Sequence, residues 1–135
     1  MEITGRCYCG DVTYRVEGEP RLAAQCYCRE CQYITGGAPN MFMAMPSASF
    51  AYTQGSAKGF TRSDLDNPVT REFCPNCGTH LLTKARSMPD AVILKVGSMD
   101  DPTKYPGPQM AIFAVDKQSF HSAPEGVPEF DRFPG

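Results

Sequence analysis

The chain has 135 residues, with 13 Lys plus Arg against 15 Asp plus Glu and a net charge of −2. This length suits a single domain over 1–135, and the near balance of charge leaves no basic excess for nucleic acid and no charged tail. The longest apolar run, Met41 to Met45, is far short of a membrane span, and Met1-Glu2-Ile3-Thr4 lacks the regions of a secretory leader.

Glycine and proline, 12 of each, cut the chain into short pieces. Val12, Tyr14 and Val16 alternate with Thr13 and Arg15, the period of a half-buried strand. Arg29 to Thr35 reads as a helix of at most two turns, stopped by Gly36-Gly37. Strands follow at Met41–Met45, Phe50–Thr53, Val69–Phe73, His80–Thr83, Ala91–Val96 and Met110–Val115. A second short helix is expected at Arg62–Asp66, closed by Asn67-Pro68. The proline-bearing tail, Ser122 to Gly135, reads as coil packed on the domain. The fold class is mainly β, short antiparallel strands with little helix. Large aliphatic residues are few, so the core needs a staple.

The cysteines supply it. Seven is odd, so they cannot all pair as disulfides within one chain, and reduced thiols in a cytoplasmic protein are expected. They fall in three groups: Cys7 and Cys9; Cys26, Cys28 and Cys31; Cys74 and Cys77. Zinc takes four ligands when structural and keeps one position open when catalytic. Seven thiolates divide as four plus three. Cys7, Cys9, Cys74 and Cys77 then close one site, and Cys26, Cys28 and Cys31 leave a vacancy in the other. Spacing alone also allows Cys26 and Cys28 to join a pair, or one closed site beside three inert thiols. Neither iron–sulfur nor thioredoxin-like patterns match.

Three thiolates on a zinc carry a net charge of −1, a poor setting for activating water. Such a site suits a fourth thiol from a substrate, because a coordinated thiol is deprotonated and the thiolate is the nucleophile. Addition of that sulfur to a small aldehyde is the expected reaction.

The order C-x-C-G-x-V-x-Y, C-x-C-x-x-C and F-C-x-x-C-G-x-x-L, at Cys7–Tyr14, Cys26–Cys31 and Phe73–Leu81, resembles the glutathione-dependent formaldehyde-activating enzyme family. That family shares a domain with centromere protein V. The resemblance implies an Mss4-like β-tent with two zincs per chain, structural on Cys7, Cys9, Cys74 and Cys77 and catalytic on Cys26, Cys28 and Cys31. It implies a carbon–sulfur lyase joining glutathione and formaldehyde into S-hydroxymethylglutathione, or acting on a related pair. Many members carry His where this chain has Tyr27, and a tryptophan where this chain has none. The alternative is a non-catalytic zinc module that contacts a protein, with redox or metal buffering as a lesser one. The partners expected are a small thiol and a small aldehyde, with no nucleic acid and no membrane.

Other residues have plainer readings. His80 reads as a strand residue, with a ligand role as its alternative, and His121 as a solvated turn residue. Arg29 reads as exposed helix surface or as a hold on a substrate carboxylate. Gly36-Gly37 ends the helix or lets a ligand approach. Met41, Met43 and Met45 alternate as sheet core, and Phe113, Phe120, Phe130 and Phe133 pack rather than line a pocket.

Overall fold

The computed structural model describes residues 1–134; Gly135, the last residue of the expected tail coil, lies outside them. Among the described residues the strands are β1 (Glu2–Arg6), β2 (Thr13–Glu17), β3 (Leu22–Cys26), β4 (Asn40–Pro46), β5 (Ala51–Gln54), β6 (Lys58–Thr61), β7 (Thr70–Phe73), β8 (His80–Lys84), β9 (Ala91–Lys95) and β10 (Met110–Ile112). The α-helix α1 (Arg29–Thr35) stands between β3 and β4. The chain is mainly β, as its sequence indicates. No helix among the described residues is long and apolar enough to cross a membrane.

Two sheets form. One has three strands in the order β1-β2-β5, the other seven in the order β10-β3-β4-β9-β8-β7-β6. The ladders between strands are antiparallel except β10 on β3, which is parallel.

The two-residue side-chain period sorts the larger sheet into two faces. Ala23, Met43, Met45, Leu82, Val92 and Leu94 form one core with Ile3, Tyr14 and Val16 of the smaller sheet. Ala24, Cys26, Phe42, Ile93 and Ile112 form a second core, which also takes in Cys31 of α1. Cross-strand pairing carries the second face outward, because Ile93 lies opposite Thr83 and Thr83 lies opposite Arg71. Met43 and Met45 are fully buried, whereas Met41, near the start of β4, remains 40% exposed.

α1 forms where the sequence places it. Cys28 caps its first turn, accepting the Cys31 N–H, and Gly36 ends it at φ 76°, a left-handed value that favours glycine. The second expected helix is absent: 62–66 is a bent loop, with Arg62 paired to Asp64 at 2.7 Å. Leu65 is 37% exposed, so this segment has no apolar face to bury, and one isolated turn does not hold. β10 stops at Ile112 rather than Val115, because Phe113 takes φ 58° and breaks the extended run.

The tail packs as coil. It runs parallel beside β10, with Ala111 N–H donating to Pro128 O at 2.9 Å and Phe130 N–H to Ala111 O at 2.9 Å. The Phe113 and Phe133 rings meet edge to face at 5.1 Å.

Candidate metal centres

The first cysteine group lies in two turns. Cys7 and Cys9 follow β1, and Cys74 and Cys77 join β7 to β8. Their four sulfurs all lie within 4.8 Å of one another. Cys7 and Cys9 Sγ are 3.6 Å apart, and Cys9 and Cys74 Sγ are 3.8 Å apart. Sulfurs held tetrahedrally at ~2.3 Å from a zinc stand about 3.8 Å from each other, so these spacings fit that metal.

The local sequence explains the turns. Gly10 and Gly78 adopt φ 85° and 79°, and the turn amides face sulfur. Val12 N–H donates to Cys7 Sγ at 3.3 Å; those of Asn76 and Cys77 donate to Cys74 Sγ at 3.4 Å. Thr79 links the two turns, accepting the Tyr8 N–H at 3.0 Å and lying 3.2 Å from Cys77 Sγ. That hydroxyl, with backbone N–H groups, pulls the Cys77 thiol down to about 5.

The second group is assembled by one strand end and one helix start. Cys26 closes β3, Cys28 caps α1, and Cys31 sits in its first turn. The three sulfurs lie within 4.8 Å, and no fourth His, Cys, Asp or Glu among the described residues joins them. Cys28 N–H donates to Cys26 Sγ at 3.4 Å, and Cys31 N–H to Cys28 Sγ at 3.3 Å. Hydrogen bonds from the Cys26 and Cys28 thiols, then the charges of Lys95 and Arg71, hold Cys31 well below the usual thiol range. Its thiol neighbours, Cys28 first, and burial push Cys26 far up. The three sulfurs thus crowd one another's charge. A cation among them would relieve that crowding, and a soft sulfur set suits zinc.

The wall around this cluster was missed in the sequence. Two clefts, about 380 and 340 Å³, share Ile34 and His80; no cysteine among the described residues lines either, and their link to the cluster is the charge of Lys95 and Arg71 on Cys31. Asn40 and Lys95 line the first, and Glu30, Arg62 and Arg71 the second. Lys95 is only 8% exposed, and burial pulls its ammonium down to about 8. Arg71 bonds Glu30 at 3.3 Å, but its Nε is buried without a partner. The His80 Nδ1 is likewise buried without a partner, and burial, then Lys95 and Arg71, hold the ring below its ordinary pKa. His80 belongs to neither sulfur group. Lys95 had a usable signal: it follows Ile93 by two residues and so shares its inward face. Arg71 had none, since its position depends on pairing with β8.

Tyr27 and His121 also differ from expectation. His121 is only 6% exposed, not solvated, and stacks on the Tyr27 ring at 5.4 Å. Its Nδ1 accepts the Gln118 N–H at 3.0 Å, which leaves Nε2–H to donate to Gly37 O at 2.6 Å. Tyr27 is fully buried and donates its hydroxyl to Glu129 Oε2 at 2.6 Å. Burial first, and then that carboxylate, push the phenol up to about 12. Arg29 is exposed, its guanidinium 5.1 Å above the Tyr33 ring.

A tent of two sheets, with one sulfur cluster at the joint and another against the outer face, defines a mainly β protein with two cysteine clusters. The sequence matches the family model of the glutathione-dependent formaldehyde-activating enzyme over residues 2–116, and the chain belongs to that family. Membership supports, in general terms, a role in glutathione-dependent formaldehyde activation. No curated protein matches the chain. Among solved structures, a Rhodobacter sphaeroides protein shares the fold with a TM-score of 0.62 at 19% identity, over 78% of this chain and 96% of that one.

Proposed function

We propose that this protein is a zinc-dependent carbon–sulfur lyase-type enzyme that joins glutathione and formaldehyde into S-hydroxymethylglutathione, or acts on a closely related thiol and aldehyde. The observation that carries this reading is the contrast between the clusters. Four sulfurs gather in one and three in the other, and the three-sulfur cluster feels the charges of two cations that line open clefts.

In this reading Cys7, Cys9, Cys74 and Cys77 hold a structural zinc, and Cys26, Cys28 and Cys31 hold the catalytic one. Zinc at the second site supplies one thing, a substrate thiol kept as thiolate near neutral pH. The reaction forms a bond from that sulfur to the aldehyde carbon, and the carbonyl oxygen takes up the proton the thiol released. Cys28 has two duties, as ligand and as the cap that sets Cys31 one helical turn away. Tyr27 relays no proton: its hydroxyl is committed to Glu129, and its pKa is pushed up to about 12. Its part is to fix the backbone between two ligands.

Zinc content and turnover test this reading together. Freshly purified protein is expected to carry about two zincs per chain. It is expected to speed the condensation of glutathione and formaldehyde. Cys28→Ser should abolish the acceleration while circular dichroism shows an intact fold. A rate no better than the uncatalysed background rejects the activity.

A further inference from the structure

The clefts lined by Lys95 and Arg71, the two cations whose charges reach Cys31, hold one cation that no carboxylate among the described residues pairs with. Arg62 is paired with Asp64, and Arg71 with Glu30. Lys95 makes no salt bridge among the described residues, although it is 8% exposed. No acidic residue lines the cleft it faces. The charges of Cys31, Cys26 and Cys28 act on this ammonium, but no carboxylate among the described residues pairs with it, and a buried charge of this kind can take a further anionic partner.

The surroundings supply further donors. Arg71 Nε is a buried donor without an acceptor. It belongs to the same sheet face as Lys95, since Arg71 pairs with Thr83, Thr83 with Ile93, and Ile93 precedes Lys95 by two residues. The His80 ring, with its orphan Nδ1, lines both clefts between them.

We infer that Lys95, assisted by Arg71, forms a carboxylate-binding subsite beside Cys26, Cys28 and Cys31, and that the thiol taken by this site is an anionic one, held at its carboxylate as well as at its sulfur. The inference rests on the proposed thiol–aldehyde reading and deepens it. It makes Lys95 a specificity-determining residue: a thiol without a carboxylate meets the same sulfurs but leaves the ammonium unpaired. The rival role for Lys95 is to offset the charge of the sulfurs themselves. The two roles differ in what they discriminate. A counter-charge for sulfur helps every thiol equally, whereas a carboxylate subsite helps only acids.

The experiment is calorimetric titration of the metal-loaded protein and its Lys95→Met variant with glutathione, glutathione dimethyl ester and S-methylglutathione. The variant should fold, because methionine replaces a buried charge with an apolar chain of similar length. A hydrogen bond between charged groups is worth roughly tenfold to a hundredfold in affinity. Lys95→Met should weaken glutathione and S-methylglutathione by that factor and shift the diester by less than about twofold. Arg71→Met should show the same pattern with a smaller loss. Equal losses for glutathione and its diester, or no loss for either, overturn the subsite. S-methylglutathione has no free thiol, so its Lys95-dependent binding supports the subsite even if condensation with formaldehyde is never observed. Failure of the wild-type protein to bind any of the three overturns it.

Discussion

Tyr27 lies between two cysteines of the same cluster, yet its chemistry points at the tail. Its hydroxyl donates to Glu129, which Lys117 also holds at 2.9 Å. Tyr27→Phe should therefore lower stability by about 1.5–3 kcal/mol, the range for a hydrogen bond to a charged group, read from urea unfolding. The Tyr27 hydroxyl first, and then Lys117, hold the Glu129 carboxyl below its ordinary 4.5. A carboxyl depressed in the folded state adds stability that is complete above its unfolded value and is lost as pH falls through the folded one. The stability difference between wild type and Glu129→Gln should accordingly be constant above pH 4.5 and shrink below it. An unchanged difference at lower pH would contradict the bond. None of this was legible in the sequence, because residues 27 and 129 meet only when the tail lies along β10.

Among the elements, those with a clean side-chain period were legible. β2, β4 and β9 were expected to within about two residues, because alternation or a compact apolar run marks them. β1, β3 and β6 were not. β1 has Ile3 as its one large apolar residue, and β3 is Leu-Ala-Ala-Gln-Cys, small residues buried with no alternation to see. β6 is exposed throughout and owes its conformation to pairing with β7. Gly5 shows what pairing can hide. A Cβ there would lie 2.3 Å from the Tyr14 ring and 2.5 Å from Ser98 O. Tyr14 is itself fixed, its hydroxyl 2.8 Å from Ser98 Oγ. Gly5→Ala should cost about 1–3 kcal/mol or more, the range for overpacking a fixed interior, seen as a lower melting temperature. A melting temperature equal to wild type would show that the strand shifts freely.

At the scale of the molecule, the sulfur clusters do different mechanical work. The first brings a turn of the smaller sheet together with a turn of the larger one, and the proposed structural zinc would tie them. Cys77→Ala should lose its cooperative melt, since a structural zinc supplies folding free energy directly. A sharp, native-like melt for that variant would reject the structural assignment. Cys31→Ala should keep a cooperative transition, because its cluster is local to β3 and α1; equal damage would make the second cluster structural as well. Chelation under reducing conditions should reproduce the Cys77→Ala result in the wild-type protein. The three cysteine groups were legible because each is local in sequence; that Cys7 and Cys9 meet Cys74 and Cys77, far along the chain, came only from dividing seven as four plus three, with spacing leaving other partitions open. Of the cationic wall only Lys95 had a signal, two residues after Ile93; Arg71 had none, because it reaches the site through the β7–β8 ladder.

The tail beside β10 also sets an order of events during synthesis. Cys26, Cys28 and Cys31 leave the ribosome some ninety residues or more before His121 and Glu129, which cover Gly37 and Tyr27. Until then the triad is part of a nascent chain whose β3 lacks both β10 and the tail strap. Cys26 and Cys31 are therefore made before Ile112, which packs against them in the finished core. A metal bound in that interval would hold the three thiols together until β10 and the tail close over β3.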